Sequence, residues 1–185
     1  MAYISIPLEK SYSLLNSGPV VLIATKGRYY NLAPIAWNCT VDYEPVVKVL
    51  FVSDSDHQTA INAKEKQEFA VCIPHVSQKR IVEKCGTVSD ADIDKYTQFG
   101  ILHAERPAEP ATGIDVKAPD GCVGWIECTL ERVIAEGSVE LFIGTAKAAF
   151  AEESAWNGTQ LDYTTEAGQP LQYLGDGIFG SVKPL

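Results

Sequence analysis

The chain has 185 residues, of which 46% are hydrophobic and 21% charged, with a formal net charge of −9. That balance excludes an intrinsically disordered chain, and the length predicts one domain, residues 1–185, able to bury a core without a metal or disulfide staple. The negative charge excludes nonspecific nucleic-acid binding, which needs Lys and Arg to neutralise phosphates. The acidity is concentrated after residue 103, so a site for an anionic ligand is expected to draw on the first part of the chain. Five cysteines, Cys39, Cys72, Cys85, Cys122 and Cys128, form no CxxC pair. They suggest neither a zinc site nor a disulfide framework. Cys72, Cys122 and Cys128 fall in strand-like runs, as small buried hydrophobes would. No basic region followed by an apolar stretch marks a signal peptide, and no apolar run approaches the ~18 residues of a membrane span. A cytoplasmic location is expected.

Residues 1–17 read as a lead-in with a short helix over Ser11–Asn16, stopped by Gly18-Pro19. Val20–Thr25 is β-branched and apolar and predicts a buried strand. Lys26-Gly27 is a turn signal, with Tyr29–Trp37 as the hairpin partner. Pro34 lies inside that partner and cannot donate to a ladder, so this strand is an edge, a bulge or a bend. Asp42–Pro45 predicts a loop and Val46–Val52 a third strand. Helices are predicted at His57–Lys66, Val76–Lys84 and Asp92–Phe99, with a strand at Glu68–Ile73 between the first two. Arg106–Gly121, rich in Pro, Ala and Gly, reads as a long surface loop. Cys122–Ala135 and Ser138–Phe150 are long strands joined by a tight hairpin at Glu136-Gly137-Ser138. Leu171–Leu174 and Ile178–Val182 are short strands. Strands outnumber helices and the longest are antiparallel, which predicts a mainly β fold with short helices, a closed or partly closed barrel.

Three constellations could carry chemistry. Ser53 to Thr59 is a serine-rich turn into a helix, whose unpaired N–H groups and dipole suit a phosphate, with Ser53, His57 and Thr59 as side-chain donors. The same residues also read as an ordinary helix cap supplied by Ser55 or Asp56. Lys95 could act as a point charge on a phosphate, or be one cation on a solvated helix face. Asn31 to Cys39 is apolar enough for an interior, yet holds two asparagines, a proline, a cysteine and Trp37. Trp37 could pack on a flat ring, and Asn31 and Asn38 could meet a pyrimidine edge. The same stretch also reads as a core strand. Neither a GxGxxG or Walker A run, nor HExxH, nor a G-x-S-x-G elbow is present. His75 and His103 stand alone, so any catalysis is expected to rest with a cofactor and not with a protein acid–base pair.

Taken together, Gly18–Ile23, Tyr30–Trp37, Val46–Val52, Thr59, Glu68–Val71, Cys85-Gly86, Val88–Tyr96 and Leu141–Gly144 resemble the flavin reductase-like family and its flavoredoxin branch. The likeness runs over roughly residues 15–150 and implies an FMN-binding split β-barrel. It implies that Asn31, Ala36, Trp37, Asn38 and Cys39 line the isoalloxazine ring. Ser53, His57, Thr59 and Lys95 would lie near the ribityl chain and phosphate. It further implies a homodimer with flavin near the subunit boundary, no catalytic protein residue and no metal. NADH or NADPH would pass a hydride to the flavin, which would then reduce another flavin, iron or a redox protein partner. Many members carry a histidine two residues before the Leu-Phe-Ile-Gly sequence, where this chain has Val139 followed by Glu140. That substitution leaves direct nicotinamide oxidation open. The alternatives are a flavoredoxin-like electron carrier and a flavin-free split barrel serving as an interaction module.

Overall fold

The computed structural model describes residues 4–185. In chain order the strands are β1 (Gly18–Pro19), β2 (Val21–Lys26), β3 (Tyr30–Ile35), β4 (Asn38–Asp42), β5 (Lys48–Asp54), β6 (Glu68–Ile73), β7 (Gly124–Glu136), β8 (Val139–Ala151), β9 (Leu171–Gly175) and β10 (Ile178–Ser181). The α-helices are α1 (Gln58–Lys66), α2 (Lys79–Cys85) and α3 (Lys95–Phe99). Seven strands form one antiparallel sheet in the order β3-β2-β6-β7-β8-β5-β4, and β1, β9 and β10 form a small second sheet. The mainly β architecture with short helices is the one anticipated.

The hairpin β2–β3 keeps its predicted partners, with Val21 opposite Ile35 and Lys26 opposite Tyr30. Of the edge, bulge or bend that Pro34 allowed, β3 is an edge strand. Two residues later the chain is at the other edge of the same sheet, because β4 pairs with β5, Asn38 lying opposite Phe51. A sheet whose two edges are joined by Ala36-Trp37 alone must be rolled upon itself, and this crossing is the seam of the barrel. The predicted strand Tyr29–Trp37 is therefore too long and β4 was not foreseen. The break is stabilised by Asn38, whose Nδ2 donates to the carbonyls of Pro19 at 3.0 Å, Ile35 at 3.1 Å and Ala36 at 3.3 Å. Trp37 O accepts from the Val52 N–H at 3.0 Å, tying the seam to β5.

The buried residues form two groups on opposite faces of β2. Val21 and Ile23 point into the barrel with Val49, Phe51, Phe69, Val71, Cys128 and Phe142. Leu22 and Ala24 point outward, beneath Val82, Cys85, Tyr96 and Ile101 of the helical layer. Strict alternation on a strand buried on both faces explains the unbroken apolar run in the sequence. Inside the barrel Phe51 stacks on Phe142 at 4.7 Å between centroids and meets Phe69 edge-on at 5.0 Å. Each such ring contributes ~1.5–3 kcal/mol by burial. Gly144 makes room for this cluster, since a Cβ there would lie 2.3 Å from the Phe69 ring.

Several helices are shorter or tighter than predicted. Leu8–Leu15 is a 3-10 helix with no buried residue. Gly18-Pro19, read as a stop, pairs with Tyr173 and Gln172 as β1. The segment Val76–Lys84 divides into a 3-10 turn, Val76–Gln78, and α2, with His75 accepting from the Ser77 N–H. Asp94 caps α3 by accepting from the Thr97 N–H, which delays the helix start to Lys95. Cys122 is buried in the loop before β7, outside the strand expected to hold it. The predicted long loop does run without regular elements up to β7, and it is fastened by Arg106, whose Nε donates to Glu127 Oε1 at 2.7 Å. Among the described residues no helix is long and apolar enough to cross a membrane.

Candidate functional site

Strand β5 ends at Asp54, and a short turn leads into α1, which plugs one end of the barrel through Ala60 and Ala63. The N-cap position of α1 is His57, and its side chain makes no capping hydrogen bond. Neither Ser55 nor Asp56 caps the helix, so the capping reading of this turn does not hold. Ser89 Oγ accepts from the Gln58 N–H at 3.2 Å. The N–H groups of Thr59 and Ala60 meet no acceptor among the described residues. A helix start of this kind carries partial positive charge and free donors, which favours an anion.

Beside that helix start lies a pocket of about 150 Å³ lined by Ser53, His57, Thr59 and Lys95, with Pro34, Cys85, Gly86 and Ser89 among its other walls. Two constellations read separately in the sequence, Ser53–Thr59 and Lys95, thus meet at one small cavity. Ser53 and Thr59 are buried, and Ser53 Oγ donates to Asp54 O at 3.2 Å. The His57 side chain is half exposed, its Nε2 3.4 Å from Asp54 Oδ2.

Lys95 is the decisive side chain. It is only 2% exposed, so it is not part of a solvated helix face. Its Nζ donates to the carbonyls of Leu32 at 2.6 Å and Cys85 at 3.0 Å, and no carboxylate among the described residues pairs with it. Burial pushes its pKa below the ordinary lysine value, only partly opposed by Cys85. A desolvated cation without a counter-ion is costly, and an anion in the adjoining pocket would offset that cost. An ammonium has three donors, so two carbonyls do not exhaust it.

The residues assigned to the ring are distributed differently. Ala36 lines a neighbouring groove of about 360 Å³ with Tyr173 and Phe179, and this groove shares Pro34 and Gly86 with the small pocket. Trp37 is 53% exposed and Cys39 is also at the surface. The Asn38 amide is occupied with the seam carbonyls. Asn31 is buried beneath the pocket, where its Nδ2 donates to Thr59 Oγ1 at 2.9 Å. Pro34, Gly86 and Ser89 received no site role from sequence. All three lie in stretches that carry the family likeness, Tyr30–Trp37, Cys85-Gly86 and Val88–Tyr96, but that likeness assigned them no contact.

Glu140 pairs across the sheet with Ser53, and Lys64 neutralises it, Nζ to Oε2 being 2.7 Å. An unpaired carboxylate here would repel an anionic ligand, and Lys64 compensates its charge. Among the described residues no group of His, Cys, Asp and Glu is arranged to hold a metal ion.

The family described as Flavin reductase like domain matches residues 13–176. Three solved structures share the fold across nearly the whole chain. Nitrilotriacetate monooxygenase component B from Bacillus cereus superposes with a TM-score of 0.83 at 19% identity, covering 100% of this chain and 98% of its own. The FMN-binding domain of a flavin reductases-like enzyme from Shewanella baltica gives 0.76 at 26% identity, with 98% and 95% covered. Flavoredoxin from Methanosarcina acetivorans gives 0.81 at 20% identity, with 100% and 94% covered.

Proposed function

The chain belongs to the flavin reductase-like family, and from that premise we propose that it is an FMN-dependent oxidoreductase of the flavin reductase type. The observation that carries the reading is Lys95, a buried cation without a carboxylate, set against a pocket that also receives Ser53, Thr59 and the start of α1. These groups fit a phosphate monoester: one cation, free backbone donors and hydroxyls. FMN, when bound, supplies the capacity to accept electrons from one partner and deliver them to another.

The chain's own contribution is to hold and orient. Lys95 supplies charge, Thr59 and the α1 N–H groups supply directed donors, and the carbonyls of Leu32 and Cys85 hold the ammonium in place. Pro34 and Gly86 form the passage to the groove lined by Ala36, Tyr173 and Phe179. In this reading the ring lies along the seam, against the Ala36–Cys39 backbone and near Trp37. The exposed face of Trp37 then suits a subunit boundary in a homodimer, and a cytoplasmic location is proposed with it. NADH or NADPH is the proposed donor, and Lys64 removes the charge objection that Glu140 alone would raise.

A second reading is favoured by Val139, which stands where many relatives carry histidine: an FMN electron carrier reduced by another protein. Anaerobic mixing of the FMN-loaded protein with NADH and with NADPH separates the two. Bleaching of the flavin bands is the expected result. Bands that stay oxidised with both donors exclude the reductase and leave the carrier.

A further inference from the structure

Below the pocket lies a buried polar chain that the cofactor reading does not itself require. Gln58 Nε2 donates to Asn62 Oδ1 at 2.6 Å, Asn62 Nδ2 donates to Thr25 Oγ1 at 3.2 Å, and Asn31 Nδ2 donates to Thr25 Oγ1 at 3.5 Å and Thr59 Oγ1 at 2.9 Å. Thr25, Asn31, Thr59 and Asn62 are each at most 5% exposed. Gly27 leaves space for the carboxamide of Asn62, since a Cβ there would lie 2.4 Å from Asn62 Oδ1. The structure sets the Nδ2 of Asn31 and of Asn62 against these hydroxyls, which gives the chain one direction of donation, from amide to hydroxyl.

That direction bears on the pocket. A hydroxyl has one proton and two lone pairs. The Thr59 hydroxyl uses a lone pair to accept from Asn31, and no described residue accepts the Thr59 proton. A phosphate oxygen is an acceptor, so only a hydroxyl whose proton is free helps to bind it. Were Thr59 to donate backwards to residue 31, it would present a lone pair to the anion.

We infer that Asn31 is a positioning residue which makes this site select phosphorylated over unphosphorylated flavin, by accepting no proton from Thr59 and so leaving that proton for the phosphate. The inference rests on the FMN reading above. It gives Asn31 a role beneath the phosphate in place of contact with the ring. A merely fastening role, joining α1 to the β2–β3 hairpin, would affect both flavins alike.

The test is equilibrium titration of the purified chain and its variants with FMN and with riboflavin, with folding followed by circular dichroism. In Asn31→Asp the carboxylate takes the Thr59 proton and adds a negative charge, so FMN affinity falls ~30-fold or more while riboflavin affinity is unchanged. Asn31→Ala, which adds no buried charge, weakens FMN ~5-fold, and has no further effect when Thr59→Val is already present. Equal losses for FMN and riboflavin, or an Asn31→Ala effect that persists in the Thr59→Val background, overturn the inference. A wild-type chain that binds neither flavin overturns the FMN reading and this inference with it.

Discussion

Two buried charges, the Glu127 carboxylate and the Lys95 ammonium, are handled differently by the fold. Arg106, in the long loop, meets Glu127 on β7, which is 1% exposed and also accepts from Thr112 and Trp125. Burial pushes the Glu127 carboxyl up, but Arg106, Thr112 and Trp125 together outweigh it and hold the group below its usual range. Lys95, nearly as buried as Glu127, has only carbonyls for company. A buried charge that finds its counter-ion within the chain serves the fold. One that does not is, in the proposed reading, addressed to a bound phosphate.

Substitution gives opposite signs in the two regions. Arg106→Ala strands Glu127 without its cation and is expected to lose ~3–5 kcal/mol in chemical denaturation, whether or not FMN is present. Lys95→Met removes an uncompensated buried charge, so the apo protein keeps or gains stability while FMN binding weakens by ~2–3 kcal/mol in fluorescence titration. A stability loss in apo Lys95→Met comparable with that of Arg106→Ala would erase the distinction. Thr59→Val removes one directed donor and is expected to cost ~1–3 kcal/mol of FMN affinity, read in the same titration.

The pH profiles sharpen the contrast further. The Glu127 pKa is lowered in the folded state, so its stabilisation is present above the unfolded value and is lost as pH falls through the folded one. The Lys95 pKa is also lowered, but it belongs to a base. The unfolded chain therefore binds more protons between the folded and unfolded values, and apo stability rises with pH across that window. A bound phosphate favours charged Lys95, so FMN affinity declines as pH rises through the lysine's lowered value. Denaturant midpoints and FMN titrations across pH check both signs, and Lys95→Met should remove the alkaline decline that Lys95 contributes.

Much of the barrel was legible locally. The Lys26-Gly27 turn, the apolar β2, the edge position of Pro34 and the long hairpin β7–β8 all follow from alternation and turn chemistry. The break at Ala36-Trp37 was not, because Asn38 stabilises it through carbonyls of Pro19, Ile35 and Ala36, a partnership set by the rolled sheet. The site divided in the same way. Ser53, His57 and Thr59 stood out as a helix start, whereas the burial of Lys95 depends on α2 and β3 packing around the five-residue helix α3. Asn31 stood out as polar within an apolar run, but its partner Thr59 belongs to a helix that only tertiary packing brings to it.

The seam also has a kinetic meaning. β3 and β4 lie at opposite ends of the sheet order yet are separated by only two residues, so the contact that closes the barrel needs almost no loop to be gathered in. The entropic burden falls instead on β5 meeting β8, as in the pairing of Phe51 with Phe142, across a long stretch of intervening chain. Folding should therefore be paced by that distant strand pairing, with the seam forming as a local turn and the edge at Ala36-Trp37 ready before the barrel behind it is complete.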